Sequence, residues 1–325
     1  MWLPVFLESC RLQEGYEWIL VGERRVPYDL PENVSFVEMT LDEIEGRIEA
    51  CGLPVPKEFI PYKFCDYKPA YGLIFSDLLE GAKFWGHGDL DLVYGRLSER
   101  VNEAFLEGVD VFSADDRSCG HFQIYRNQEH VNRLIFQIDG LDEFLRLRST
   151  LGLDEPEMSM ALAKAEREDG LKWTRAKSRR LELAEKRPLM GATIEPDTSL
   201  DGQESSGAHE YHWVHGRAEQ RLLDSGEVRC ELLYLHWVRW KDEQQWQKLM
   251  TGEEWREKGL ILKSSDWARP RGGLKRRVRG VIYSFLRIID VCARGSLREF
   301  NMIDKAVSYV MREHAEKRWA RLIQD

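Results

Sequence analysis

Short runs of β-branched and aromatic residues alternate with helix-period segments through the first half of this chain. That alternation restricts the fold more than any other feature. Residues 16–21 (YEWILV) and 34–39 (VSFVEM) read as strands, with Pro27 and Pro31 in the connection between them. Thr40 can cap a following helix with Glu43 three residues on, and Gly52 and Pro54 stop it. Within 68–80, Tyr71, Ile74, Phe75, Leu78 and Leu79 recur at helical spacing, and Pro69 suits a first turn. Further strands are expected from residue 84 and over 109–114 and 121–125, and helix over 128–147. Residues 2–10 read as a short amphipathic helix. Strands interleaved with helices predict an α/β domain with a mostly parallel sheet.

The middle of the chain differs. Residues 157–186 are rich in Ala, Glu, Lys and Arg and read as exposed helix, and 194–208 read as a mobile loop. Order is expected to resume in a strand over 231–237 (ELLYLHW), and 305–324 read as a charged helix. At 325 residues and 43% hydrophobic, the chain suffices for one large domain with an appendage. The expected division is a catalytic domain over 1–265, a helical and loop insertion near 155–210, and a basic helical extension over 266–325.

A net charge of −9 argues against a general nucleic-acid binder. Arg269, Arg271, Lys275, Arg276, Arg277 and Arg279 nevertheless crowd one stretch. Such a stretch is most often a solvated face. With the apolar Val281, Ile282, Phe285, Leu286 and Ile289 after it, peripheral contact with anionic lipid is the alternative. The six cysteines form no Cys-x-x-Cys pair, which points to reduced, mostly buried thiols. The first residues lack a charged start followed by a long apolar core, and no run reaches the ~18 apolar residues of a membrane span. The expected location is cytoplasmic, with the inner face of the cell membrane as a peripheral site.

The chemistry-bearing residues centre on Phe84-Trp85-Gly86-His87-Gly88-Asp89-Leu90-Asp91. In extended backbone, residues i and i+2 point to one side, so Asp89 and Asp91 would face one divalent cation and leave positions open for phosphate oxygens. Chance solvated turns carry the same tripeptide. Upstream, Asp66 reads as a helix cap, and Lys63 and Lys68 either neutralise a diphosphate or are solvated. His236 sits in an apolar run and is either a core histidine or a metal ligand. His209, His212 and His215 would share a metal-binding face if that segment were helical. Arg126 and Asn127 end a strand, where they either touch substrate or make a turn and cap.

Taken together, PYKFCDYKPAYG (61–72), FWGHGDLDLVYG (84–95), GHFQIYRN (120–127) and ELLYLHWVRWK (231–241), with PENVSF (31–36), resemble a bacterial family of glycosyltransferase-like proteins found near polysaccharide biosynthesis genes. The resemblance covers roughly the first 150 residues plus a patch near 236. It implies the GT-A fold, a Rossmann-like sheet for nucleotide-diphosphate sugars. It further implies metal ligation by Asp89, Asp91 and His236 with Mn²⁺ or Mg²⁺, and donor binding by Lys63, Asp66, Lys68, His87 and Glu23. His121, in the same segment as Arg126 and Asn127, joins them as a candidate substrate-binding residue. The implied partners are a nucleotide-diphosphate sugar and a glycan or lipid-linked acceptor. Relatives usually carry a strand before the helix at 2–10 and Thr-Asp where Gly22-Glu23 stands here, so either the start is truncated or the nucleotide pocket is altered. The expected activity is metal-dependent glycosyl transfer. A non-catalytic binding relative and a metal-dependent phosphohydrolase are the alternatives.

Overall fold

In chain order, the first half of the protein forms α1 (Leu3–Arg11), β1 (Trp18–Gly22), β2 (Val34–Glu38), α2 (Leu41–Ala50), α3 (Tyr71–Ile74), β3 (Phe84–Gly88), β4 (Leu92–Tyr94), α4 (Leu97–Arg100), α5 (Glu103–Leu106), β5 (Val111–Ser113), β6 (Phe122–Arg126), α6 (Glu129–Asn132), α7 (Leu141–Arg146) and α8 (Pro156–Glu168). Strands follow: β7 (Trp173–Arg175), β8 (Met190–Thr193), β9 (His209–Val214), β10 (Arg217–Leu222), β11 (Val228–His236) and β12 (Leu260–Lys263). This computed structural model describes residues 3–115, 117–175, 190–193, 209–222, 224–236, 255 and 259–263. The fold is mixed α/β with several sheets. Its described residues fall into two units, one within 1–40, 88–116 and 174–269, the other within 41–87 and 117–173.

The first unit carries a six-stranded sheet in the order β12-β9-β10-β11-β4, with β8 beside β11. This sheet draws almost all its strands from the second half of the chain and is largely antiparallel. β12–β9, β9–β10, β10–β11 and β11–β4 are all antiparallel, and only β8 joins in parallel. The reason lies in the connections. β9 and β10 are joined by His215 (φ 47) and Gly216 (φ 78), a two-residue turn with both φ positive, which matches the twist of a hairpin. So short a link cannot make the crossover that parallel strands need. A separate two-stranded sheet pairs β1 with β2 in parallel, Trp18 opposite Val34 through Gly22 opposite Glu38. Its connection is held by Asn33, whose side-chain amide donates to the Cys10 carbonyl at 2.9 Å. Helix α1 buries Val5, Phe6, Leu7 and Cys10. Phe6 and Trp18 close over the Tyr94 ring, with centroids 6.1 and 4.6 Å away.

In the second unit β3 lies beside β6, and Trp85 stacks on Tyr125 at 4.3 Å and 12°. The indole N–H of Trp85 donates to Asn132 Oδ1 at 2.7 Å, which satisfies its polar edge inside the core. The helix expected over 68–80 is broken into a 3-10 helix Pro61–Ala70, the single turn α3 and a second 3-10 helix Ser76–Leu79. Pro69 lies inside the first piece and offers no N–H to an α-helical ladder, and Phe75 leaves helical backbone at ψ 27. The stretch 128–147 is likewise divided, with Gly140 at φ 74 before α7. Helix α8 is shorter than the exposed helix expected over 157–186 and is not solvated all round: Met158, Ala161, Leu162 and Ala165 recur at helical spacing and are buried. Gly170, at φ 71, follows its end.

Among the described cysteines, Cys10, Cys119 and Cys230 are buried, Cys51 and Cys65 are half-buried, and all five are free thiols. No described helix is long and apolar enough to cross a membrane. The loop expected over 194–208, the basic stretch 269–279 and the helix expected over 305–324 lie outside the described residues.

Candidate metal centre

Strand β3 ends at Gly88, and the chain reverses at once. The Leu92 N–H donates to the Asp89 carbonyl at 3.2 Å and closes a four-residue turn. The Asp pair therefore stands on a turn, not on the extended strand the alternation rule supposed. Leu90, at the apex, is 50% exposed. Gly88 is required at the entry, because a Cβ there would run into the Tyr94 hydroxyl. Strand β4 then pairs antiparallel with β11, setting Leu92 opposite His236, Val93 opposite Leu235 and Tyr94 opposite Tyr234.

That register carries His236 to the turn. Its Nε2 lies 3.4 Å from Asp91 Oδ1, and the two side chains are 8% and 10% exposed. One ligand atom each from Asp89, Asp91 and His236 lies within 4.8 Å of the other two. Ligand atoms about 2.1 Å from one ion sit roughly 3 to 4.2 Å apart, so a small inward movement closes the set. Two carboxylate oxygens and one imidazole nitrogen suit Mn²⁺ and leave about half of an octahedral shell for other oxygens. The fold thus brings Asp89, Asp91 and His236 together as a group that could hold a metal ion.

The other anticipated residues are placed differently. Glu23 is exposed, one position past the end of β1. Lys63 and Asp66 are closed inside the second unit with no exposed side-chain surface. The Lys63 ammonium donates to Asp66 Oδ2 at 2.9 Å and to the carbonyls of Phe144 and Ser149 at 2.9 and 3.1 Å. Asp66 in turn accepts the backbone N–H groups of Leu151, Gly152 and Leu153. This pair ties two chain segments together, and Asp66 does not cap a helix of its own. Lys68 is 8% exposed and donates to the Gly120 carbonyl at 2.6 Å, with Asp154 at 3.7 Å.

His87 is 6% exposed, with Tyr71 and Tyr125 ring centroids at 6.2 and 6.1 Å. Its Nδ1 is buried with no hydrogen-bond partner among the described residues. Burial, then the nearby Lys68 charge, holds its pKa well below the ordinary value. His121 Nε2 lies 3.2 Å from Cys119 Sγ. Arg126 covers the Phe84 ring at 4.8 Å. Asn127 is a structural tie: its amide donates to the carbonyls of Leu79 and Ala82, and its oxygen accepts from Asn132.

The helix on which His209, His212 and His215 would share a metal-binding face is not formed. The segment is strand β9 followed by a turn, and an odd spacing on a strand alternates faces. His212 instead bonds Glu210 Oε2 at 2.8 Å. No local pattern in the sequence marks Tyr94, because its hydroxyl meets Gly88 only through the fold.

Residues 2–259 match a family described as a family of unknown function, DUF6625. The chain belongs to this family. The matched span takes in all three candidate ligands and stops short of the basic stretch at 269–279. No curated protein and no solved structure matches the chain.

Proposed function

We propose that this chain is a metal-dependent glycosyltransferase of GT-A type that uses a nucleotide-diphosphate sugar and a glycan or lipid-linked acceptor in surface polysaccharide biosynthesis. The convergence of Asp89, Asp91 and His236 is the observation that carries this reading. The parallel β1–β2 pair and an acidic turn directly after a strand also agree with it. Bound Mn²⁺ or Mg²⁺ supplies positive charge for the diphosphate of the departing nucleotide. Asp89 and Asp91 contribute the anionic oxygens that hold it. His236 contributes a lone pair from the neighbouring strand. The burial of Asp91 and His236 keeps competing water off those two ligands and strengthens their electrostatic interaction with a cation.

A thermal-shift screen of nucleotide sugars with and without Mn²⁺ tests the reading. The expected result is a donor-specific rise in melting temperature that needs the metal. Donor hydrolysis that keeps its full rate after complete metal removal would overturn the metal role. Release of inorganic phosphate without any sugar acceptor would point to a phosphohydrolase. One observation favours a non-catalytic binding relative: Lys63 and Asp66, expected at the donor, are sealed against each other. On that reading no nucleotide sugar shifts the melting temperature.

A further inference from the structure

The turn that carries Asp89 and Asp91 passes a buried residue outside the candidate ligand set. We propose that the Tyr94 hydroxyl, packed against the Cα of Gly88, is the positioning group that sets these carboxylates for a divalent cation. This inference rests on the metal reading above.

Four observations converge on Tyr94. Its side chain is fully buried, and its ring packs against both Phe6 and Trp18. Its backbone is fixed twice, by pairing with Tyr234 in the ladder and by the Trp213 indole N–H, which donates to the Tyr94 carbonyl at 2.7 Å. The backbone pairings and the packing on Phe6 and Trp18 hold the ring where the turn passes it. The hydroxyl reaches the point where any Cβ at Gly88 would stand, so the chain entering Asp89 must pass it as glycine. Finally, Asp89 and Asp91 are both within electrostatic reach of the phenol. A rigid wall at the entry of a four-residue turn fixes where its first and third side chains emerge. Supports of this kind around metal ligands typically change affinity by about 10- to 100-fold when removed.

The test is Mn²⁺ binding to the full chain, measured by calorimetry and by the spin-resonance signal of the bound ion, with the melting temperature recorded in parallel. Tyr94→Phe removes the hydroxyl and keeps the ring. It is expected to weaken Mn²⁺ about tenfold or more with little change in metal-free melting temperature. Gly88→Ala pushes against the same contact from the other side and is expected to weaken Mn²⁺ as well. The double variant removes the atom that the new methyl strikes, so it is expected to bind Mn²⁺ more tightly than Gly88→Ala alone. The single Tyr94→Phe variant separates positioning from packing, because a merely structural hydroxyl would leave Mn²⁺ affinity unchanged. Unchanged Mn²⁺ affinity in a folded Tyr94→Phe overturns the inference. So does a double variant no better than Gly88→Ala, and a folded Gly88→Ala that binds Mn²⁺ as tightly as the native chain decides the matter should Tyr94→Phe fail to fold. If the native chain binds no Mn²⁺ at all, the metal reading itself is overturned, a separate result.

Discussion

His236 stands opposite Leu92 in the β4–β11 ladder, one position beyond Asp91, and its Nε2 lies 3.4 Å from Asp91 Oδ1. Residues 145 positions apart in the chain are thereby made neighbours by strand register alone. Mn²⁺ at about 100 times its Kd is expected to add about 2.7 kcal/mol to the stability of the native chain. Asp91→Asn and His236→Ala should each abolish most of that gain. Melting temperature against Mn²⁺ concentration measures it, and an undiminished gain in both variants would remove these residues from the site.

Asp66→Ala leaves the fully buried Lys63 ammonium facing two carbonyls without its counter-charge. It also leaves the N–H groups of Leu151, Gly152 and Leu153 without their acceptor. Breaking a buried pair from one side costs about 3–5 kcal/mol. Urea unfolding should show a loss of that size. A loss under about 1 kcal/mol would mean that the pair is reached by water.

Stability should fall with acid because of His87. Its folded-state pKa lies well below the ordinary 6.5, chiefly because burial opposes the charged form. Below pH 6.5 the unfolded chain therefore takes up a proton that the folded chain refuses. The stabilisation is fully present above that pH and is lost as the pH falls toward the folded value. Denaturant midpoints of the native chain and His87→Phe between pH 7.5 and about 5 isolate this contribution. Parallel curves for the two proteins would show that His87 is not shielded.

Gly216→Val tests the hairpin that makes the large sheet antiparallel. Gly216 has φ 78, and a Cβ there would come within 3.1 Å of Leu12 Cδ1. A β-branched residue in left-handed backbone costs about 1–2 kcal/mol before any clash. The variant should melt lower by several degrees, whereas Gly226→Ala, with open space around its Cβ, should lose less.

Much of the local structure was legible in the sequence. The strands at 18–22 and 34–38, helix α2 with its glycine stop, and the strand ending at His236 follow from apolar runs and turn residues that act over a few positions. The break inside 61–79 was not legible, because helical spacing of Tyr71, Ile74 and Leu78 is satisfied equally by short 3-10 and α pieces packed on one core. The roles of Lys63 and Asp66 were hidden for a different reason. A lysine and an aspartate three apart read as surface groups until the carbonyls and N–H groups of 144–153 close around them.

Residue order alone shows that Asp89 and Asp91 follow a strand and two glycines, and that a histidine sits in a distant apolar run. Local preference and period suffice for that. The turn under the pair, the Tyr94 hydroxyl in the space beside Gly88 and the place of His236 next to Asp91 come from the fold. Those relations depend on the register between 92–94 and 234–236. Register is set by which faces are buried across the whole sheet, and no window of neighbouring residues contains that information.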